Sequence, residues 1–120
     1  MMHYGSQEDV PFLEQFKASQ QPFDIIIDDG GHTMNQQKTS FLTLLPLVRP
    51  GGFYVIEDLE TSYSSDYGGQ YLNASTTIEF VKTLFDEIQP EAPKRNITVA
   101  SQLFSFEIGD GICFFTKKSK

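Results

Sequence analysis

The chain has 120 residues, a formal net charge of −7 and a pI of about 4.6. That length suits one domain around a single core, and an acidic surface repels phosphate backbones, which argues against nucleic acid as a partner. With 39% hydrophobic residues and 11 Phe, the composition is that of a folding chain and not of a disordered one. The single cysteine, Cys113, excludes an internal disulfide framework. It lies in the apolar run 112–115 and reads as a small buried hydrophobe. No apolar run approaches the ~20 residues of a membrane span, and the first residues lack a signal-peptide pattern. Asn73-Ala-Ser and Asn96-Ile-Thr read as chance matches to the glycosylation pattern. The expectation is one cytoplasmic domain over 1–120.

Taken in chain order, residues 2–4 read as the tail of a strand. Ser6 is a helix N-cap by type, with Glu8 and Asp9 suited to the first turn. A helix is therefore expected over 7–19, with Val10, Leu13 and Phe16 as its stripe, until Gln20-Gln21-Pro22 stops it. The run 23–28, Phe-Asp-Ile-Ile-Ile-Asp, is apolar on consecutive positions, which predicts a strand covered on both faces. Thr33 and Gln36 fit a capping box that opens a second helix with Phe41, Leu44, Leu45 and Val48 as its stripe. Pro46 makes its last turn irregular. Arg49-Pro50-Gly51-Gly52 reads as a turn, and 53–57 as the second strand.

Residues 60–72 have no periodicity and are rich in Ser, Gly and Tyr. A loop of that length after an acidic strand end is either functional or a plain connector. A third helix is expected over 74–89, with Ile78, Val81, Phe85 and Ile88 on one face. A linker over 91–95 leads to a strand over 97–108. Gly109-Asp110-Gly111 is a hairpin signal before a last strand over 112–116. Lys117-Lys118-Ser119-Lys120 reads as a solvated tail. The order α-β-α-β-α-β-β, ending in an antiparallel hairpin, is half of a doubly wound α/β sheet.

Two apolar strands end abruptly in acid. The first delivers Asp28, Asp29 and, after two glycines, His32; the second delivers Glu57 and Asp58. Strands joined through a helix are parallel neighbours, so these groups converge at one sheet edge, where open α/β sheets bind ligands. Carboxylates suit magnesium, and a nearby histidine suits a general base. The same acids read equally well as turn caps and solvated loop carboxylates. Gly30-Gly31 and Gly51-Gly52 do not make Gly-x-Gly-x-x-Gly, and no such motif occurs in the chain.

Three segments together resemble a known family. They are the turn Asp-Asp-Gly-Gly-His at 28–32, the approach Leu-Leu-Pro-Leu-Val-Arg-Pro-Gly-Gly at 44–52, and the exit Ile-Glu-Asp-Leu-Glu-Thr-Ser-Tyr at 56–63. Over about 4–63 the chain resembles the macrocin/mycinamicin-type sugar O-methyltransferases, class I enzymes that use S-adenosylmethionine. The resemblance implies the C-terminal half of a Rossmann-like class I methyltransferase sheet. It implies Asp29, Glu57 and Asp58 as magnesium ligands and His32 as catalytic base. Thr61, Ser62 and Tyr63 would line the substrate side. Gly5, Gln7 and Asp28 would face the cofactor, with Gly5-Ser6-Gln7 standing where relatives read Gly-Asp-Gln.

The implied reaction is Mg-assisted methyl transfer to a sugar hydroxyl: the metal acidifies the hydroxyl, His32 takes its proton, and the alkoxide attacks the sulfonium methyl. The glycine-rich cofactor turn that the family carries upstream is missing from these residues. The expectation is thus a partial methyltransferase domain whose S-adenosylmethionine site another chain completes. A non-catalytic remnant or metal-binding module is the alternative, and a hydrolase built on the same residues is a third reading. Without its partner strand, the strand 23–28 would be an open apolar edge, so a homo-oligomer or a partner fragment is expected there.

Overall fold

The computed structural model describes residues 5–93 and 97–119. The expected strand tail at 2–4 and Asn96 lie outside the described residues. The first helix, α1 (Val10–Ala18), opens at Asp9, whose carboxylate accepts the Phe12 amide at 3.2 Å. Ser6 instead accepts the Glu8 amide at 3.3 Å in the turn before it. Pro11 accounts for the later start, because proline fits only the first turn of a helix. Leu13 is buried while Val10 is exposed, so the expected stripe is shorter by one residue.

Strand β1 (Phe23–Asp28) pairs in parallel with β2 (Val48–Ile56), in a register that sets Ile25 beside Phe53 and Asp28 beside Ile56. β2 starts earlier than expected because Arg49–Gly52 belongs to it. Gly51 takes a left-handed φ of +82°, and a register shift between Phe23 and Ile25 absorbs the extra residues. Between the strands runs α2 (Met34–Leu44). Its capping box is formed, with the Thr33 hydroxyl accepting the Gln36 amide and the Gln36 side chain accepting the Thr33 amide, both at 3.2 Å. Pro46 sits in a 3₁₀ turn, Leu45–Leu47, that ends this helix as expected.

After β2 the chain makes two 3₁₀ turns, Leu59–Tyr63 and Ser65–Tyr67, and enters α3 (Thr77–Glu87). Residues 98–102 are a 3₁₀ turn and not the start of a long strand. The hairpin of β3 (Leu103–Gly109) and β4 (Ile112–Lys117) completes a four-stranded sheet in the order β1-β2-β4-β3, with β4 antiparallel to both neighbours.

The core lies on one face of the sheet. Phe41 and Leu45 from the α2 region, Val81 and Leu84 from α3, and Tyr54, Ile56, Cys113 and Phe115 from the strands are fully buried there. The Phe41 ring meets those of Tyr54 and Phe115 at 5.2 and 4.5 Å. Burial pushes the Cys113 thiol up to about 12, which fits an inert hydrophobe. α3 turns Val81 and Leu84 inward and leaves Phe85 largely exposed, against the expected Phe85 face. The expectation that β1 is covered on both faces is overturned. Ile25 and Ile27 are 53% and 60% exposed, because α2 and α3 cover only the opposite face and nothing among the described residues pairs with the outer edge of β1. Lys117 is not a solvated tail residue. Its ammonium donates to the carbonyls of Pro46 and Val48 at 3.1 and 2.6 Å, and burial lowers its pKa.

Candidate functional site

The carboxyl ends of β1 and β2 lie side by side, as their parallel pairing requires, and the Glu57 amide donates to the Asp28 carbonyl at 3.0 Å. From β1 the chain turns through Gly30 and Gly31 to His32 before α2 starts. From β2 it passes Glu57 and reaches Asp58, whose backbone is left-handed with φ of 59° and ψ of 40°. Outside glycine this region is sparsely populated, and aspartate is among the residues that tolerate it. The conformation turns the Asp58 carboxylate toward the β1 turn.

Asp58 Oδ2 stands 3.4 Å from His32 Nδ1, with each side chain about one third exposed. The Asp58 carboxyl also lies beside that of Asp29. Desolvation first, and then the neighbouring Asp29 carboxyl, raise the Asp58 pKa, with His32 acting against the shift. A divalent cation between two such carboxylates would relieve their repulsion. His32 is further fixed from outside. Thr61 donates to its carbonyl at 2.8 Å, and the Tyr67 ring stands edge-on at 5.8 Å. Nδ1 faces a carboxylate, and the opposite nitrogen, Nε2, is the one left to exchange a proton with a ligand.

Each expected site residue has a definite place. Asp58 meets His32 and lies beside Asp29, and Glu57 precedes Asp58 at the same strand end; among the described residues, no three His, Cys, Asp or Glu side chains converge closely enough to hold a metal. The Glu57 carbonyl is used internally, accepting the Gln37 amide at 3.2 Å. Two neighbouring carboxylates are donors of the kind magnesium takes when water or substrate fills its other positions.

Thr61 and Ser62 do not line a substrate surface. Both are buried, Thr61 tied to the carbonyls of His32 and Asp58 and Ser62 accepting the Ile78 amide at 3.2 Å. They hold the loop to the site, and Tyr63 alone of the three is exposed. Gly5 is required by packing, since a Cβ there would stand 2.5 Å from the Phe12 ring. Asp28 is buried beside β2. Desolvation raises its pKa, with the Gly30 amide and Gln7 opposing the shift. Gln7 bonds to Asp28, Gly31 and Ser40. Gln7 and Asp28, expected to face a cofactor, are thus bonded to each other and to the turn.

Sequence reasoning missed two groups. Tyr54 is fully buried with its hydroxyl unpaired among the described residues, and burial, then Asp28, push its pKa well up. It lines a recess of about 210 Å³ with Gln7, Asp28, Ser40 and Leu44, beside the open edge of β1. An apolar-run position gave no sign that a hydroxyl would be stranded there. Tyr67 was hidden in a loop without periodicity.

Comparison with known proteins agrees with this geometry. A family described as a methyltransferase domain matches residues 2–59. The 8-demethyl-8-(2-methoxy-alpha-L-rhamnosyl)-tetracenomycin-C 3'-O-methyltransferase of Streptomyces olivaceus is 48% identical over 90 residues, 72% of this chain and 23% of that enzyme. The mycinamicin VI 2''-O-methyltransferase of Micromonospora griseorubida is 43% identical over 99 residues, 77% of this chain and 25% of the enzyme. The chain thus spans about a quarter of the length of these relatives.

Among solved structures, the MycE methyltransferase of the mycinamycin biosynthetic pathway, in complex with Mg, SAH and mycinamycin VI, superposes with a TM-score of 0.90 at 37% identity. It covers 98% of this chain and 32% of MycE. Sequence and fold thus agree, over nearly all of its residues, that the chain is similar to one part of the macrocin- and mycinamicin-type sugar O-methyltransferases.

Proposed function

We propose that the chain forms the metal and acceptor side of a magnesium-assisted O-methyltransferase acting on a sugar hydroxyl. The observation that carries this reading is the contact of Asp58 with both Asp29 and His32 at the joined ends of β1 and β2. Asp29 and Asp58 would hold the ion, with Glu57 next in line on the same strand end. Magnesium bound there supplies charge that lowers the pKa of a coordinated hydroxyl.

His32 does the proton work. Its Nδ1 is oriented by Asp58, and its Nε2 takes the proton of the acceptor hydroxyl. Thr61 and Tyr67 keep the ring in place, and Tyr63 meets the acceptor from the loop. Asp29, Asp58, Thr61 and Tyr63 offer no positive charge to an anion, which suits an uncharged hydroxyl as acceptor. The two relatives named above are O-methyltransferases by name, one of them acting on a rhamnosyl-tetracenomycin. Methyl transfer needs S-adenosylmethionine as donor, and its cradle would come from polypeptide beyond the described residues.

The open edge of β1, with Ile25 and Ile27 exposed, is the surface we assign to that association, with a second copy or a partner fragment. A second reading, a non-catalytic metal-binding module, is favoured by one observation: Gln7 and Asp28 are already satisfied within the chain. Calorimetric titration with S-adenosylmethionine in saturating magnesium separates the two. Micromolar binding supports the enzyme. No heat from a folded chain supports the module. No helix among the described residues is long and apolar enough to cross a membrane.

A further inference from the structure

We propose that Gln7 is a positioning residue that clasps the Asp29–His32 turn into its metal-ready shape. The inference rests on the magnesium reading above. Gln7 reaches the turn across a sequence separation of 21 to 24 residues and grips it at both ends. Its Nε2 donates to both oxygens of Asp28 at 3.2 Å, and its Oε1 accepts the amide of Gly31. Asp29 lies inside that grip, and His32 is the next residue after it. The same Nε2 is within 3.3 Å of Ser40 Oγ, and the Ser40 hydroxyl in turn donates to the Gln7 carbonyl at 2.7 Å, which anchors the clasp on α2.

The turn closes tightly on this amide. A Cβ on Gly30 would stand 2.5 Å from Gln7 Oε1, so a side chain there would push this amide aside. Thr61 holds the far side through the His32 carbonyl. The base and the first carboxylate are thus set between two side chains from distant segments. Partners of this kind, one step behind a metal ligand, orient it and set its affinity. The amide group is the right chemistry: a turn that presents an N–H at one end and a carboxylate at the other needs an acceptor and a donor from a single side chain.

The test uses the isotopically labelled full chain, with magnesium chloride as the probe. Gln7→Met fills the same volume but loses both bonds, whereas Gln7→Glu keeps the acceptor for Gly31. Magnesium affinity should fall by about tenfold in Gln7→Met and recover in part in Gln7→Glu. The amides of residues 29–32 should exchange faster with solvent in Gln7→Met while those of α2 and β2 do not change. Wild-type affinity and unchanged amides in Gln7→Met would overturn the assignment.

If the wild type binds no magnesium, the metal reading fails. The clasp is then judged on the amides alone, where faster exchange supports it and unchanged exchange rejects it. Should Gln7→Met not fold, Gln7→Glu carries the test. An unchanged Gly31 amide with weakened binding of magnesium supports the clasp, and a shifted Gly31 amide with full affinity rejects it.

Discussion

On its inner face the sheet is sealed: Phe41, Tyr54, Ile56 and Phe115 are fully buried between the strands and the helices. On its outer face Ile25, Ile27, Phe53 and Phe114 stand 40–60% exposed, although β1 and β2 are as apolar on that side as on the other. Burial of a large apolar side chain stabilises by about 1.5–3 kcal/mol, so the two faces differ greatly in what they give the fold. The acids and His32 sit on the rim between them. They are held from the sealed face, through Gln7, Ser40 and Thr61, while the outer face and the edge of β1 stand uncovered among the described residues.

The largest expected effect belongs to the sealed face. Phe41→Ala should cost about 3–5 kcal/mol, read as a fall in denaturation midpoint or outright unfolding, because the ring joins α2 to both central strands. Loss within about 0.5 kcal/mol would mean that the two faces are less different than described. Next come the rim acids. Asp29→Asn and Asp58→Asn should each weaken magnesium by tenfold or more while leaving the metal-free chain as stable or slightly more so, since a carboxyl–carboxyl contact is relieved.

On the bare face, Ile27→Lys should change stability by less than about 0.5 kcal/mol and reduce self-association in light scattering. A large loss of stability in a monomer would show that the outer face is already in use. The smallest effect concerns Asp28. Its folded-state pKa is raised, chiefly by desolvation, so its contribution to stability is complete below the ordinary aspartate range and is lost as pH rises through the raised value. Asp28→Asn should gain on the wild type at neutral pH, by about 1 kcal/mol or less, and that gain should shrink on acidification. A gain that grows on acidification would contradict the assigned direction.

Much of this was legible in the sequence, and for local reasons. The Thr33–Gln36 box, the Pro46 irregularity, the parallel pairing of β1 with β2 and the turn at Gly109–Gly111 each follow from short-range chemistry. The meeting of Asp58 with His32 at the strand ends followed from pairing alone. What stayed hidden depends on groups far apart in the chain. A run of isoleucines cannot say whether a second layer exists to cover it, which is why β1 reads as buried and stands exposed. Thr61 and Ser62 have the residue types of a substrate wall, and only tertiary packing shows their hydroxyls used by His32 and Ile78. Gln7 has a ligand-binding side chain in an acceptable place, and its partners lie more than 20 residues away.

The most direct test of the account is a magnesium titration of the folded chain by calorimetry, run beside Asp58→Asn. Saturable binding by the wild type and at least a tenfold weaker response in the variant are expected, since Asp58 meets His32 and lies beside Asp29. Equal binding by the two proteins, or none by a wild type shown to be folded, would contradict it.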